Sequence, residues 1–292
     1  KDYTSLYSEY VNFYHNELLN NPENKNSLDY LKNRKLTFET IKNFKLGYVK
    51  KNSNIFEHLK KNFNEKILKE CGIFYFDEKK NIFVDRFRDR IIFPINSISG
   101  SPIAIGGRIM QKNSFFAKYI NSPETQFFKK GNNLYNIDRA RKLSNKINQI
   151  FLVEGYMDVI SLNNRGIENC VANLGTALTE RQVAILNQFF NEIVICFDGD
   201  ESGYKAAVRA AENSIKELKP EKQISFLFLP DNEDPDTFIS KNGKEKFLKY
   251  YETNKILIHE FLFDNLKKQS NSSPTSLAIL EKKLRFISNT IK

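Results

Sequence analysis

Between residues 150 and 229, short apolar runs alternate with helical patterns, and this regularity constrains the fold more than any other feature of the chain. Hydrophobic spacing predicts strands over 150–153, 170–174, 193–197 and 224–229, and helices over 157–163, 179–190 (N-cap Thr179) and 202–218. Parallel strands need such helical crossovers, because each connection must return the chain to the same end of the sheet. We therefore expect an α/β fold with a four-stranded parallel sheet flanked by helices on both faces.

The flanking segments have other patterns, so the chain as a whole is expected to be mixed α+β. The first 75 or so residues favour short amphipathic helices: one over 6–19, one starting at Ser27 or Asp29, and one over 55–71. Residues 73–109 are typical of hairpin strands, with turns at 77–80 and 99–102. Residues 112–131 suggest a functional loop region, and 244–292 helices with a break at 269–274. We expect three parts: a basic N-terminal α+β subdomain (1–148), an α/β subdomain (149–242) and a helical C-terminal subdomain (243–292).

Charge is distributed unevenly along these parts. The net charge of +10 combines 23 basic and 14 acidic residues in 1–130, four and one in 131–149, seven and 15 in 150–240, and 11 and five in 241–292. An acidic segment of −8 inside a basic chain indicates a cation site beside a surface for polyanions. Solvated charged surface is the alternative for any single run.

Arginines are concentrated in one stretch of the basic part. Arg86, Arg88 and Arg90 alternate with Phe87 and Asp89, and this alternation predicts a strand with three guanidinium groups on one face, suited to phosphates. Arg108 follows 18 residues later. The alternative is a cross-strand ladder of ion pairs in which Asp85 and Asp89 neutralise the arginines.

Carboxylates stand at the carboxyl ends of three of the four predicted parallel strands. Glu154-Gly155 follows the first, Asp198-Gly199-Asp200 the third, and an acidic loop over 231–236 the fourth. Ligands of open parallel sheets bind at this edge. Oxygen ligands without nearby His or Cys favour Mg²⁺ or Mn²⁺ over zinc. Each motif alone could be a turn or a helix cap.

Several classes of protein are excluded by what the sequence lacks. Cys71, Cys170 and Cys196 form no metal-binding or disulfide pattern and are interpreted as small buried hydrophobic residues. Three scattered histidines receive no role. The sequence offers neither a signal peptide nor an apolar run near the roughly 18 residues that a membrane span requires. Because the first residue is Lys1 rather than Met, we expect a fragment of a longer protein.

The acidic and basic motifs together resemble those of one family, the bacterial DNA primases of the DnaG type. Its Toprim domain has motifs similar to Glu154-Gly-Tyr-Met-Asp158, Asn173-Leu-Gly-Thr176, Asp198-Gly-Asp200 and Glu233-Asp-Pro-Asp236. The basic part of its RNA polymerase core has motifs similar to Arg86-Phe-Arg-Asp-Arg90, Gly106-Gly-Arg108, Lys118 to Thr125 and Lys130 to Tyr135. The resemblance is dense over residues 80–240 and looser in the flanks.

The resemblance implies a primase core that synthesises short RNA primers on single-stranded DNA from ribonucleoside triphosphates. The implied catalytic residues are Glu154, Asp198 and Asp200, and the implied ligands of Mg²⁺ or Mn²⁺ are Glu154, Asp198, Asp200, Asp234 and Asp236. Glu154 could instead be the general base for the primer hydroxyl. The implied residues for nucleotide or template binding and its support are Arg86, Arg88, Arg108, Lys118, Asn121, Lys130, Tyr156 and Asp158. The family's zinc-binding module has no counterpart in this sequence, so no zinc is expected.

The implied setting is the replication fork in the cytoplasm, without membrane contact. The implied partners are the DNA template, the nucleotides, the RNA product and, through a domain missing here, the replicative helicase; the core is expected to be monomeric. Two alternatives stay open: a Toprim nuclease or topoisomerase-like DNA cleaver, and a non-enzymatic DNA-binding scaffold of the recombination type.

Overall fold

The computed structural model describes residues 2–110, 115–271 and 273–291, so Lys112 to Ser114 of the predicted loop region lie outside the described residues. The chain divides into two compact units, Lys1–Lys129 and Lys130–Lys292. The predicted boundaries at 148/149 and 242/243 remain predictions.

The first unit combines five helices with a four-stranded antiparallel sheet and a separate hairpin, among its described residues. Its helices are α1 (Tyr3–Asn20), α2 (Lys25–Asn33), α3 (Phe38–Asn43), α4 (Ile55–Lys60) and α5 (Glu65–Glu70). Its strands are β1 (Gly47–Val49), β2 (Phe74–Asp77), β3 (Ile82–Asp85), β4 (Arg90–Asn96), β5 (Pro102–Ile109) and β6 (Tyr119–Asn121). The sheet has the order β1-β4-β5-β6, and β2 pairs with β3. The buried face of α1, with Leu6, Tyr10 and Tyr14, belongs to the core of this unit.

Two predictions for this unit are wrong. The helix predicted over 55–71 is two helices, because Asn64 caps a new one by accepting the backbone N–H of Lys66. Residues 86–89 form a turn between β3 and β4, not part of a strand. Asp89 has a positive φ of 58°, which ends the extended backbone there. The three arginines therefore do not share one strand face.

The second unit contains the predicted α/β sheet. Its strands are β7 (Gln149–Val153), β8 (Cys170–Ala172), β9 (Glu192–Gly199), β10 (Gln223–Asp231) and β11 (Ile256–Leu257), in the order β11-β10-β9-β7-β8. The four predicted strands pair in parallel, as expected, and β11 adds an antiparallel strand that was not predicted. The predicted fold class is confirmed.

Helices surround this sheet and follow it. They are α6 (Ile137–Ala140), α7 (Tyr156–Asn164), α8 (Glu180–Asn187), α9 (Glu201–Ile215), α10 (Pro235–Asn254), α11 (Ile258–Lys268) and α12 (Pro274–Thr290). Thr179 is the predicted N-cap of α8, and its hydroxyl accepts the backbone N–H of Gln182. The helix break predicted at 269–274 is confirmed, since α11 ends at Lys268 and α12 begins at Pro274. A second interruption lies inside α10, at Gly243 with φ 78°.

Burial agrees with the interpretation of the cysteines, which are all free and buried. Within the described part of the chain, no helix combines the length and apolar character needed to cross a membrane.

Candidate active site

The sheet topology of the second unit brings the predicted carboxylates to one edge. Glu154 follows β7 directly, Asp198 lies near the end of β9, and Asp200 is the N-cap of α9. After β10 the chain reaches Asp234, the N-cap of α10, and Asp236 in the first turn of that helix. Because β7, β9 and β10 are adjacent parallel strands, their carboxyl ends share one edge.

The Asp198-Gly199-Asp200 loop depends on close backbone packing. The backbone N–H of Asp200 donates to the Asp198 carbonyl at 2.9 Å, and the Asp200 carboxylate accepts the N–H of Gly203 at 2.7 Å. A Cβ atom on Gly199 would lie 2.2 Å from the carbonyl oxygen of Pro230, so only glycine fits between the loop and β10. This packing fixes two carboxylates at the start of α9.

Burial and mutual repulsion raise the pKa of two of these carboxyl groups. The pKa of Glu154 is raised to about 6, first by loss of water around its carboxyl group and then by the charges of Asp198 and Asp200. The pKa of Asp198 is also raised to about 6, by burial and then by Asp234 and Asp200. Asp198 therefore lies within electrostatic range of Glu154, Asp200 and Asp234. A cation among them would relieve the repulsion.

Asp158 and Asp236 are more deeply buried than the carboxylates described above, and their hydrogen bonds connect the segments that form this edge. The carboxylate of Asp158 accepts the backbone N–H groups of Gly155 at 2.9 Å and of Asp236 at 3.2 Å. Burial, with the charges of Asp234, Asp236 and Asp198, raises the pKa of Asp158 well above its ordinary value. The hydroxyl of Ser161 donates to the Asp236 carboxylate. Ser161 was not predicted, although it stands one helical turn after Asp158.

The side chains of the acidic edge are not arranged as a finished metal centre. Across residues 2–110, 115–271 and 273–291, no three His, Cys, Asp or Glu side chains form a group that could hold a metal ion as placed. Their donor chemistry, carboxylate oxygens throughout, nevertheless fits a hard cation such as Mg²⁺.

A cavity of about 270 Å³ opens beside Glu154 in the second unit. Arg209 of α9, Thr176 and Asn173 supply its polar lining, and Ile195 and Phe197 part of its apolar lining. The Oδ1 atom of Asn173 is buried without a hydrogen-bond partner.

In the first unit, Arg108 lies near two tyrosine rings. Its guanidinium carbon is 4.8 Å from the ring centre of Tyr30 and 5.7 Å from that of Tyr119. Arg34 donates to the Tyr30 hydroxyl at 3.1 Å. Two cation–π contacts restrain the guanidinium group. Neither Tyr30 nor Arg34 was predicted, because 78 residues separate Tyr30 from Arg108 and no local pattern joins them.

The three arginines of the 86–90 run have different environments. Arg90 is buried and donates to the carbonyls of Ala117 and Lys118, so it supports the β5–β6 connection. Arg86 donates to the carbonyl of Gly72, and Arg88 to the hydroxyl of Tyr75. The predicted alternative, an ion-pair ladder, is also wrong: Asp89 accepts the Tyr48 hydroxyl, and Asp85 accepts tyrosine hydroxyls.

The remaining predicted binding residues lie in separate elements. Lys118 is exposed, with its ammonium group 5.8 Å from the Tyr119 ring centre, and Asn121 ends β6 opposite Gly106. Lys130 begins a short 3₁₀ helix in the second unit. Tyr156 begins α7, and its buried ring packs edge-on against Tyr135.

Comparisons with known proteins agree with this architecture. Residues 13–141 match the family described as the DNA primase catalytic core, N-terminal domain, and residues 151–239 match the Toprim-like family. The DNA primase of Haemophilus influenzae is 38% identical over 273 residues, which cover 92% of this chain and 44% of that protein. A DNA primase domain from Pseudomonas aeruginosa is 36% identical, with a TM-score of 0.91 over 99% of this chain and 91% of that one.

A solved DnaG primase catalytic domain bound to ssDNA gives a TM-score of 0.92 at 34% identity, covering 99% of this chain and 93% of that one. The chain belongs to the family of DnaG primase catalytic cores. The resemblance found in the sequence is therefore confirmed. This DnaG-type chain spans less than half the length of the curated relatives it matches, 44% for the Haemophilus influenzae protein.

Proposed function

We propose that this chain synthesises short RNA primers on single-stranded DNA from ribonucleoside triphosphates, by nucleotidyl transfer that depends on Mg²⁺ or Mn²⁺. The observation that carries the proposal is the group of carboxylates at the carboxyl edge of the Toprim-like sheet, where Asp198 is repelled by Asp200 and Asp234 and in turn repels Glu154. The chain is similar over its length to DnaG catalytic cores. The ssDNA-bound relative supports the choice of template.

The metal ions would be held by Glu154, Asp198, Asp200 and Asp234. When bound there, Mg²⁺ would supply positive charge that neutralises the phosphates of the incoming nucleotide and stabilises the charge developing during transfer. Asp200 and Asp234 each use one carboxylate oxygen to cap a helix, which leaves the other oxygen positioned to coordinate a metal ion. Asp236 was predicted as a further ligand. Its contact with Ser161 supports a positioning role in addition.

Glu154 has two possible roles, metal ligand or general base for the primer 3′-hydroxyl. Its pKa of about 6 leaves the carboxylate mostly ionised at neutral pH and able to accept a proton. Asp158 keeps Glu154 oriented, because it ties down the backbone N–H of Gly155. A proton moved from the hydroxyl would make the primer oxygen a better nucleophile.

The basic residues would bind phosphate groups. Arg108, restrained by cation–π contacts with Tyr30 and Tyr119, presents a guanidinium group, and Lys118 adds an exposed ammonium group near the Tyr119 ring. Arg86, Arg88 and Lys130 are proposed for the same task, on the template backbone or the nucleotide. Asn121 and Tyr156 are proposed to line the nucleotide-binding surface.

The same resemblance supports the biological setting. We propose a cytoplasmic protein of the replication fork, monomeric as a core, that reaches the replicative helicase through a further domain. The division into subdomains 1–148, 149–242 and 243–292 is kept as part of this proposal, and zinc is assigned no role in the core.

The test is incubation of the chain with single-stranded DNA, four ribonucleotides and either Mg²⁺ or Mn²⁺, followed by a gel that resolves short RNA. We expect template-dependent RNA that disappears with EDTA. Nicking of supercoiled DNA without RNA synthesis would favour the DNA-cleaving alternative. DNA binding with neither activity would favour the scaffold.

A further inference from the structure

Asp85 is a buried carboxylate whose hydrogen-bond partners are all uncharged. It ends β3, is 3% exposed, and accepts the hydroxyls of Tyr10 at 3.0 Å and Tyr14 at 2.9 Å, both from α1. It also accepts the backbone N–H of Phe87 at 2.8 Å. Burying a carboxylate costs folding free energy, whereas burying an apolar residue does not. Asp85 therefore serves to fix the geometry of the groups that it hydrogen-bonds rather than to stabilise the fold.

The bond to Phe87 fixes the turn over residues 86–89. Phe87 is fully buried, and its ring packs so closely on β5 that a Cβ atom on Gly107 would lie 2.5 Å from it. At the other end of the turn, the backbone N–H of Asp89 donates to the Val49 carbonyl at 2.8 Å, and the Tyr48 hydroxyl donates to the Asp89 carboxylate. The turn is therefore held from both ends.

The side chains that this turn presents are Arg86 and Arg88. Their guanidinium carbons lie 5.7 and 5.9 Å from the centre of the Tyr75 ring. Their hydrogen bonds go to uncharged oxygens: Arg86 donates to the Gly72 carbonyl and Arg88 to the Tyr75 hydroxyl. A guanidinium group has five N–H donors, so each arginine keeps further donors for an anionic ligand, and the exposed Tyr75 ring beside them offers a stacking surface.

We propose that Asp85 is a positioning residue for template binding: anchored by Tyr10 and Tyr14, it fixes the turn that presents Arg86 and Arg88 to the phosphates of single-stranded nucleic acid. This inference rests on the proposed function and extends it to a residue that touches no ligand itself.

The test compares Asp85→Asn with Asp77→Asn, which removes the same charge from the same hairpin. Among the described residues, the Asp77 carboxylate accepts hydrogen bonds only from backbone N–H groups of the β2–β3 turn, and the asparagine side chain can accept them too. Binding of a fluorescent oligothymidylate is measured by anisotropy at a series of NaCl concentrations. Loss of a negative charge alone strengthens binding to a polyanion, so we expect Asp77→Asn to bind as tightly as the wild type or tighter.

For Asp85→Asn we expect weaker rather than stronger binding: affinity for the oligonucleotide should fall roughly 3- to 10-fold, and its salt dependence should become shallower. Each phosphate contact on a single strand contributes about 0.7 to the slope of log K against log salt, so loss of one or two contacts lowers the slope by about 0.7 to 1.4. A merely destabilised protein loses active fraction without a change in slope. An unchanged slope overturns the proposal.

A double-mutant cycle gives the second measurement. In the Arg86→Ala/Arg88→Ala background, Asp85→Asn should have little further effect on affinity, because the groups it positions are gone. A full additive loss there overturns the proposal. If Asp85→Asn does not fold, Tyr14→Phe removes one donor and should shift slope and affinity in the same direction by less. A wild-type chain that fails to bind the oligonucleotide at all refutes the proposed function as well.

Discussion

The hydroxyl of Ser161 donates a 2.5 Å hydrogen bond to the carboxylate of Asp236, and both side chains are buried. Together with the bond from the Asp236 N–H to Asp158, this contact joins α7 to α10 behind the acidic edge of the sheet. Two helices that follow different strands are thereby held together close to Glu154 and Asp234, the carboxylates proposed to bind metal ions.

Ser161→Ala should destabilise the chain, because it leaves the buried Asp236 carboxylate without that donor. Such a loss costs about 1–3 kcal/mol of unfolding free energy. Urea denaturation measures it. Ser214→Ala is the matched control: Ser214 is also fully buried, but its hydroxyl has no hydrogen-bond partner, so removal should be neutral or slightly stabilising. Equal losses in the two variants would mean that the contact with Asp236 contributes nothing.

Gly203→Ala should destabilise the chain. In an exposed helix the same change would be stabilising, because alanine is the better helix former by about 1 kcal/mol. Gly203 lies in the first turn of α9, and a Cβ atom there would be 2.3 Å from the Asp198 carbonyl oxygen. The clash displaces the loop that holds Asp198 and Asp200. We expect a lower midpoint in thermal denaturation and loss of RNA synthesis. The control is Ser202→Ala at the exposed neighbouring position, which should keep both the thermal midpoint and RNA synthesis. A Gly203→Ala chain as stable as the wild type would show that the loop can yield.

The fold was predictable from sequence where the signals were local and long enough. Short apolar runs that alternate with helical spacing predicted the parallel strands of the second unit, and the rule that strand ends share an edge located Glu154, Asp198 and Asp234. Strands β1 and β11, with three and two residues, are too short to show any periodicity. Their pairing is decided by the neighbouring strands.

The turn at residues 86–89 shows why the remainder was missed. Alternation of Arg with Phe and Asp is a strand pattern, but Asp85 is held by tyrosines 71 and 75 residues away, and the chain turns there. The same limit applies to Tyr30 beside Arg108 and, in part, to Ser161. Their roles depend on tertiary contacts that spacing along the chain does not encode.

Asp200→Asn should abolish RNA synthesis, with a loss of at least about 100-fold expected for removal of a charged group from such a site. The helix cap survives, because asparagine also accepts the N–H of Gly203. Folding and ssDNA affinity should therefore stay close to those of the wild type, as measured by denaturation and anisotropy. Glu201→Gln, which changes the exposed partner of Lys205, is the control and should remain active. Loss of DNA binding along with synthesis would make the acidic edge structural.

Arg108→Ala should weaken binding of the nucleotide or the template and reduce its salt dependence by about 0.7 in slope for a single-strand phosphate contact. Lys118→Ala should do the same with a smaller loss, since an exposed ammonium group is less well fixed. Arg285→Ala is the control, because Arg285 pairs with Glu281 on α12. If the slope for Arg108→Ala matches that of Arg285→Ala, Arg108 makes no phosphate contact.

Asp85 should make the stability of the chain depend on pH in a defined direction. Burial raises its pKa to about 6 from an ordinary 3.8, although Tyr10, Tyr14, the Phe87 N–H and the charge of Arg88 oppose the rise. The folded chain thus holds this proton more tightly than the unfolded chain does. The stabilisation is complete below pH 3.8 and is lost as the pH rises through about 6. Over this window the loss is at most about 3 kcal/mol, at 1.36 kcal/mol for each unit of pKa shift. Urea denaturation of the wild type and of Asp85→Asn between pH 4 and 7.5 isolates the effect, because other titrating groups cancel in the difference. We expect the advantage of the wild type to shrink as the pH rises. A constant difference would mean that the Asp85 carboxyl titrates alike in the folded and unfolded chains.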